Sequence, residues 1–212
     1  MDIIFLILYG LTAFVNIFSI HCEKHIVRFV SKICLVPIIV FYYIFKSDNL
    51  SFIIVIALFF SWCGDILLVN PVKFRLYTGI LSFLAAHILY IFSFIDLTPE
   101  LNITALIFSF LLVLLIESFF MTKLHIQNNY KFFVIIYGIV IGFLVISSLQ
   151  VFIWHKSMAG ILLAAGSFLF FISDMVLSYF NMIKIMTKNS LSVVMLSYII
   201  AQACIVIGYM NI

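Results

Sequence analysis

The chain has 212 residues, of which 67% are hydrophobic and 9% charged, with a mean hydropathy of +1.35. Soluble domains are nearer half apolar and a quarter charged, so a soluble protein with a large core is excluded. The net charge of +3 is small, and no basic, aromatic-interleaved surface marks a nucleic-acid partner.

A membrane-crossing helix needs about 20 apolar residues, and eight such spans fit between short linkers: 3–20, 28–45, 50–69, 76–95, 101–120, 131–151, 158–180 and 190–211. The first starts from Asp2 instead of a basic segment and lacks a small-residue cleavage pattern, so it reads as a retained helix. It carries Asn16 near its end. The second opens with Lys32 and Pro37. The third holds Ser61-Trp62-Cys63-Gly64-Asp65, the fourth His87 and Tyr90, and the fifth Glu117 near its end. Gly138 and Gly142 in the sixth, and Gly160 and Ala164 in the seventh, have the small-xxx-small spacing that lets helices approach closely. The seventh also places Ser167, Asp174 and Ser178 on one stripe. The eighth carries Tyr198 and Gln202, four residues apart. The fold class expected is all-α, a single polytopic membrane bundle of eight transmembrane helices. Continuous apolar runs do not suit the short alternating strands of a β-barrel.

Nine basic residues (Lys24, Arg28, Lys32, Lys73, Arg75, Lys123, Lys131, Lys184 and Lys188) lie in or beside the odd-numbered loops, against Lys46 and Lys156 at the even ones. The positive-inside rule then predicts cytoplasmic odd loops and non-cytoplasmic termini. Asp65 sits about four residues, or roughly 6 Å, from the cytoplasmic end of its span, and Asp174 about six residues, or roughly 9 Å. A carboxylate near a helix centre costs roughly 2.5–3.5 kcal/mol on insertion scales, so such groups usually face protein or a wet cavity. Glu117 and Asn16 end their spans on the same side, Lys32 begins its own there, and His87, Tyr90, Tyr198 and Gln202 lie nearer mid-membrane. The set outlines a polar pocket opening toward the cytoplasmic leaflet. Structural roles compete: snorkelling for Glu117 and Lys32, an interhelical hydrogen bond for Asn16, packing for His87, and interhelical contact or interface anchoring for Gln202 and the tyrosines.

Ser82-Phe83-Leu84-Ala85-Ala86-His87 in span four echoes Ser197-Tyr198-Ile199-Ile200-Ala201-Gln202 in span eight, each following a helix with a small residue before its aspartate. A parallel four-plus-four repeat would relate Asp65 to Asp174 and His87 to Gln202. A zinc hydrolase needs about three convergent ligands, yet His21, His25, His125 and His155 all fall at loops. No G-x-S-x-G elbow is present, and the four cysteines show no paired spacing. Neither a metal nor another cofactor is expected.

The ordered set Cys63-Gly64-Asp65, Gly79, Ser82-Phe83, Ala86-His87, Tyr90, Gly166, Phe170, Ser173-Asp174, Tyr198, Ala201 and Gln202 resembles the YhhN-like lysoplasmalogenase family of eight-helix membrane proteins. Lys32 and Pro37 resemble the Lys-then-Pro of that family's second helix, though five apart where the family usually has them closer. The resemblance implies a membrane hydrolase that cleaves the vinyl ether of a lysophospholipid substrate, giving a fatty aldehyde and a glycerophospho-base. Such an ether opens when its β-carbon is protonated and water captures the resulting oxocarbenium ion. Asp65 and Asp174, sharing a proton, are the expected acid–base pair. His87, Tyr198 and Gln202 would orient water or the leaving oxygen, and Lys32 would meet the lipid phosphate. Intramembrane carboxylates and a repeat equally suit a proton-coupled transporter of a small or lipidic solute, and a lipid-binding scaffold is a third reading.

Overall fold

A computed structural model describes residues 2–69, 73–123, 128–182 and 187–212. Among these residues the chain is all-helical: α1 (Asp2–His21), α2 (His25–Lys46), α3 (Phe52–Leu68), α4 (Lys73–Asp96), α5 (Ile103–Lys123), α6 (Asn128–His155), α7 (Met158–Met182) and α8 (Lys188–Met210). In lipid a helix satisfies its own backbone, and long apolar runs therefore settle as helices. Six of the eight are long and apolar enough to cross a membrane, which makes this a multi-pass membrane protein. Of the other two, α3 falls short by length. α3 has 17 residues, about 25 Å against a hydrocarbon core of about 30 Å. The described apolar stretch of α5 is Ile103–Ile116.

Short polar segments end and start the helices. Glu23 (φ 57°) turns the chain between α1 and α2, and Lys156 (φ 48°) between α6 and α7, both in the left-handed region. Ser157 caps α7 by accepting from the Gly160 N–H at 3.1 Å, and Asn102 caps α5 through the Ala105 N–H at 3.0 Å. Thr187 and Ser190 cap α8 reciprocally, each side-chain oxygen accepting from the other's N–H.

The chain divides into two compact units, Met1–Ser93 with Asn211, and Phe94–Met210 with Ile212. In the first, α2 packs on both α1 and α3, and Leu35, Ile39, Tyr43, Ile54, Leu58 and Tyr90 are buried. In the second, α7 packs closely on α8 and on α6, and α5 on α6. Glycines set these approaches. A Cβ on Gly166 would stand 3.0 Å from the Ala201 carbonyl oxygen, and one on Gly208 would stand 2.9 Å from that of Ala159. The outer face of α1, with Ile3, Ile7, Leu11, Phe14 and Phe18 exposed, has the apolar character of a lipid-facing surface.

Candidate functional site

Asp65 is carried by α3 and is 1% exposed. Its Oδ1 lies 3.2 Å from the Lys32 ammonium of α2. Lys32 therefore joins the carboxylate through an ion pair, neither side chain reaching far into solvent. The same two helices meet again where the Trp62 indole N–H donates to the Ile33 carbonyl at 2.9 Å. Gly64, just before the aspartate, leaves room for the face of Phe83 from α4. A Cβ there would stand 2.6 Å from two ring carbons. Phe83 in turn stacks on His87 one turn along, at 6.5 Å between centroids and 27° between planes. His87 and Tyr90 are fully buried. Asn16, also fully buried, donates to the Arg28 carbonyl at 3.0 Å and to Ser31 Oγ at 2.9 Å, and so ties α1 to α2.

The second unit holds Asp174 on α7, 8% exposed. Tyr137 of α6 donates its phenolic hydrogen to Asp174 Oδ2. Ser173, next to the aspartate, donates to the Val194 carbonyl of α8 at 3.0 Å. One turn further along α8, Tyr198 meets Phe170 edge to face, with centroids 5.4 Å apart. Gln202 donates to the Tyr198 hydroxyl at 3.4 Å, and both are buried. The side chain of Glu117 lies outside the described residues.

Each unit thus brings one aspartate together with a donor from the preceding helix. Lys32 was already a candidate from the sequence. Tyr137 and Trp62 were not. A depth signal was nevertheless present for Tyr137, which stands about six residues inside the expected start of its span, as Asp174 stands about six before the end of its own. Among the described residues no three His, Cys, Asp or Glu side chains gather as metal ligands. A cleft of about 580 Å³ beside the start of α5 is lined by Glu100, Asn102, Gln150, Trp154 and Lys156, and neither aspartate lines it.

A family model described as the YhhN family matches residues 27–209. The chain belongs to the YhhN family. The matched segment of this YhhN-family chain includes Lys32, Asp65, His87, Tyr137 and Asp174. It leaves out all of α1, and with it Asn16, whose hydrogen bonds buttress α2 from outside the shared segment. No curated protein and no solved structure matches the chain.

Proposed function

We propose that this protein is a membrane-embedded hydrolase that cleaves the vinyl ether of lysoplasmalogen-type lysolipids. The observation that carries the reading is a pair of buried aspartates with different donors, in a chain of the YhhN family. Protonation of the vinyl β-carbon gives an oxocarbenium ion; water adds to the cationic carbon and loses a proton. The hemiacetal then collapses to a fatty aldehyde and the glycerophospho-alcohol, so one water is consumed per ether opened. This sequence asks for one carboxylic acid and one carboxylate.

The different partners favour a division of labour. Asp65, ion-paired with Lys32, is the carboxylate that steadies the cation and takes the proton from water. Asp174, anchored at Oδ2 by Tyr137, is the acid, delivering its proton from the other oxygen. His87, Tyr90, Tyr198, Gln202 and Glu117 complete the proposed polar surroundings of the lysolipid, without metal or cofactor. All eight helices cross the membrane in this reading, with both termini non-cytoplasmic. A four-plus-four repeat is supported by the same local order in both halves: a donor helix, an aspartate helix, and a helix whose aromatic residue (Phe83 or Tyr198) packs against it.

Purified protein in lipid nanodiscs should release aldehyde from a vinyl-ether lysolipid, with activity retained after exhaustive chelation. Asp65→Asn and Asp174→Asn should each abolish release. Full activity in either variant removes the two-carboxylate mechanism, and proton-driven solute flux without cleavage would replace it with a transporter.

A further inference from the structure

Pro37 lies inside α2. A proline has no N–H, so the carbonyl four residues earlier loses its helical partner. That carbonyl belongs to Ile33, and it is the one the Trp62 indole reaches from α3 at 2.9 Å. Proline is tolerated in membrane helices where a neighbouring group re-satisfies the freed carbonyl, because an unsatisfied one in hydrocarbon costs several kcal/mol. Here the neighbour is a side chain on the aspartate helix.

The cross-link sits beside the ion pair on both helices. Ile33 follows Lys32 directly, and Trp62 precedes Asp65 by three residues, which places them as neighbours on the α3 surface. A slip of α3 along α2 by one residue is a shift of about 1.5 Å, enough to part an ammonium and a carboxylate now 3.2 Å apart. Packing of apolar side chains alone gives a weaker lock on this register than a directional hydrogen bond of ordinary length.

We infer that Trp62 is a positioning residue for the Lys32–Asp65 pair, holding the α2–α3 register through the Ile33 carbonyl that Pro37 sets free. Pro37 and Trp62 act as one device: the first creates the acceptor and the second occupies it. The catalytic consequence rests on the hydrolase reading; the hydrogen-bonded staple does not.

The chain has two tryptophans, so protein labelled with ¹⁵N at the indole gives two side-chain signals, separable with Trp154→Phe. Trp154 is 46% exposed and serves as the internal reference. In the full-length wild type the Trp62 indole hydrogen should exchange with deuterium at least about tenfold more slowly than that of Trp154, since exchange waits on local opening. In Pro37→Ala the restored backbone N–H competes for the Ile33 carbonyl, and that protection should fall.

The activity arm uses a cycle of Trp62→Phe, Pro37→Ala and the double variant. Trp62→Phe should lower kcat by about 10- to 100-fold with KM little changed, the scale for misplacing a reacting group by up to about 1 Å. In the Pro37→Ala background the same substitution should cost little more, because the device is already dismantled. Equal losses from Trp62→Phe in both backgrounds would overturn the inference. So would a Trp62 indole hydrogen that exchanges as fast as that of Trp154. Slow exchange that depends on Pro37, in a protein that releases no aldehyde, would keep the staple and remove the hydrolase.

Discussion

Removing the lysine from the Asp65 ion pair should destabilise the protein and slow it, and the two effects test different claims. Asp65 is 1% exposed and Lys32 12%, with 3.2 Å between the charged atoms. Breaking a buried pair by deleting one member costs about 3–5 kcal/mol, because the remaining charge is left uncompensated. Lys32→Met keeps the length and apolar stem of the side chain, so its loss should fall in that range. Asp65→Asn strands the ammonium and should cost a similar amount. The double variant leaves no charge behind and should lose far less than the sum. Unfolding of all four proteins by sodium dodecyl sulfate in one mixed-micelle system supplies the cycle. Losses that add to within about 0.5 kcal/mol are the behaviour of independent sites, and that result would refute a coupled buried pair. Kinetics then separate two roles for Lys32. If it holds Asp65, Lys32→Met lowers kcat; if it met the lipid phosphate instead, the same variant would raise KM with kcat unchanged.

Tyr137→Phe deletes the phenol that Asp174 accepts from. It should cost about 0.5–1.5 kcal/mol, as for a hydrogen bond between a phenol and a protonated carboxyl, and lower kcat; an unchanged unfolding midpoint would show that the contact contributes nothing. Gly166→Ala places a methyl 3.0 Å from the Ala201 carbonyl oxygen and 2.9 Å from Ile205 Cγ1, so it should destabilise by about 1–3 kcal/mol through overpacking. Gly10→Ala in α1, where nothing lies within 4 Å, should instead gain up to about 1 kcal/mol of helix propensity. Equal melting shifts for the two alanines would mean that α7–α8 packing is not glycine-limited.

The helices were legible because the bilayer leaves few choices: continuous apolar runs must bond their own backbone, and their length follows from its thickness. The expense of an intramembrane carboxylate likewise singled out Asp65 and Asp174 before any packing was known. Their partners were harder to read. The span boundaries supply a residue's position along its helix, and on that scale Lys32 matches Asp65 while Tyr137 matches Asp174. Depth says nothing of which way a helix is turned about its axis. Lys32 stood equally well as a snorkelling cation, and Tyr137 was one of ten tyrosines in an aromatic-rich chain. Trp62 was hidden for another reason. Its hydrogen bond exists because of a missing N–H on a different helix, and neither residue signals the other in sequence. Gly64 was legible only as a small residue beside an aspartate; its role in admitting the Phe83 ring depends on how α4 packs.

The two halves share their helical order while differing in the donor each offers. An ammonium carries a full charge to Asp65, whereas a phenol gives Asp174 a hydrogen bond and no charge. In the proposed repeat, that substitution is where chemical symmetry breaks. Identical partners would bias both carboxyls the same way, and acid–base work on an enol ether needs them biased apart. Exchanging the donors should therefore be more harmful than the loss of either hydrogen bond alone suggests. A Lys32→Tyr/Tyr137→Lys protein keeps one donor on each preceding helix and the same total charge, yet it reverses which aspartate faces a cation. If only the presence of donors mattered, aldehyde release should survive the exchange in protein that remains folded by its micellar unfolding curve. Loss of kcat below that of either Lys32→Met or Tyr137→Phe is the outcome expected from a division of labour between Asp65 and Asp174.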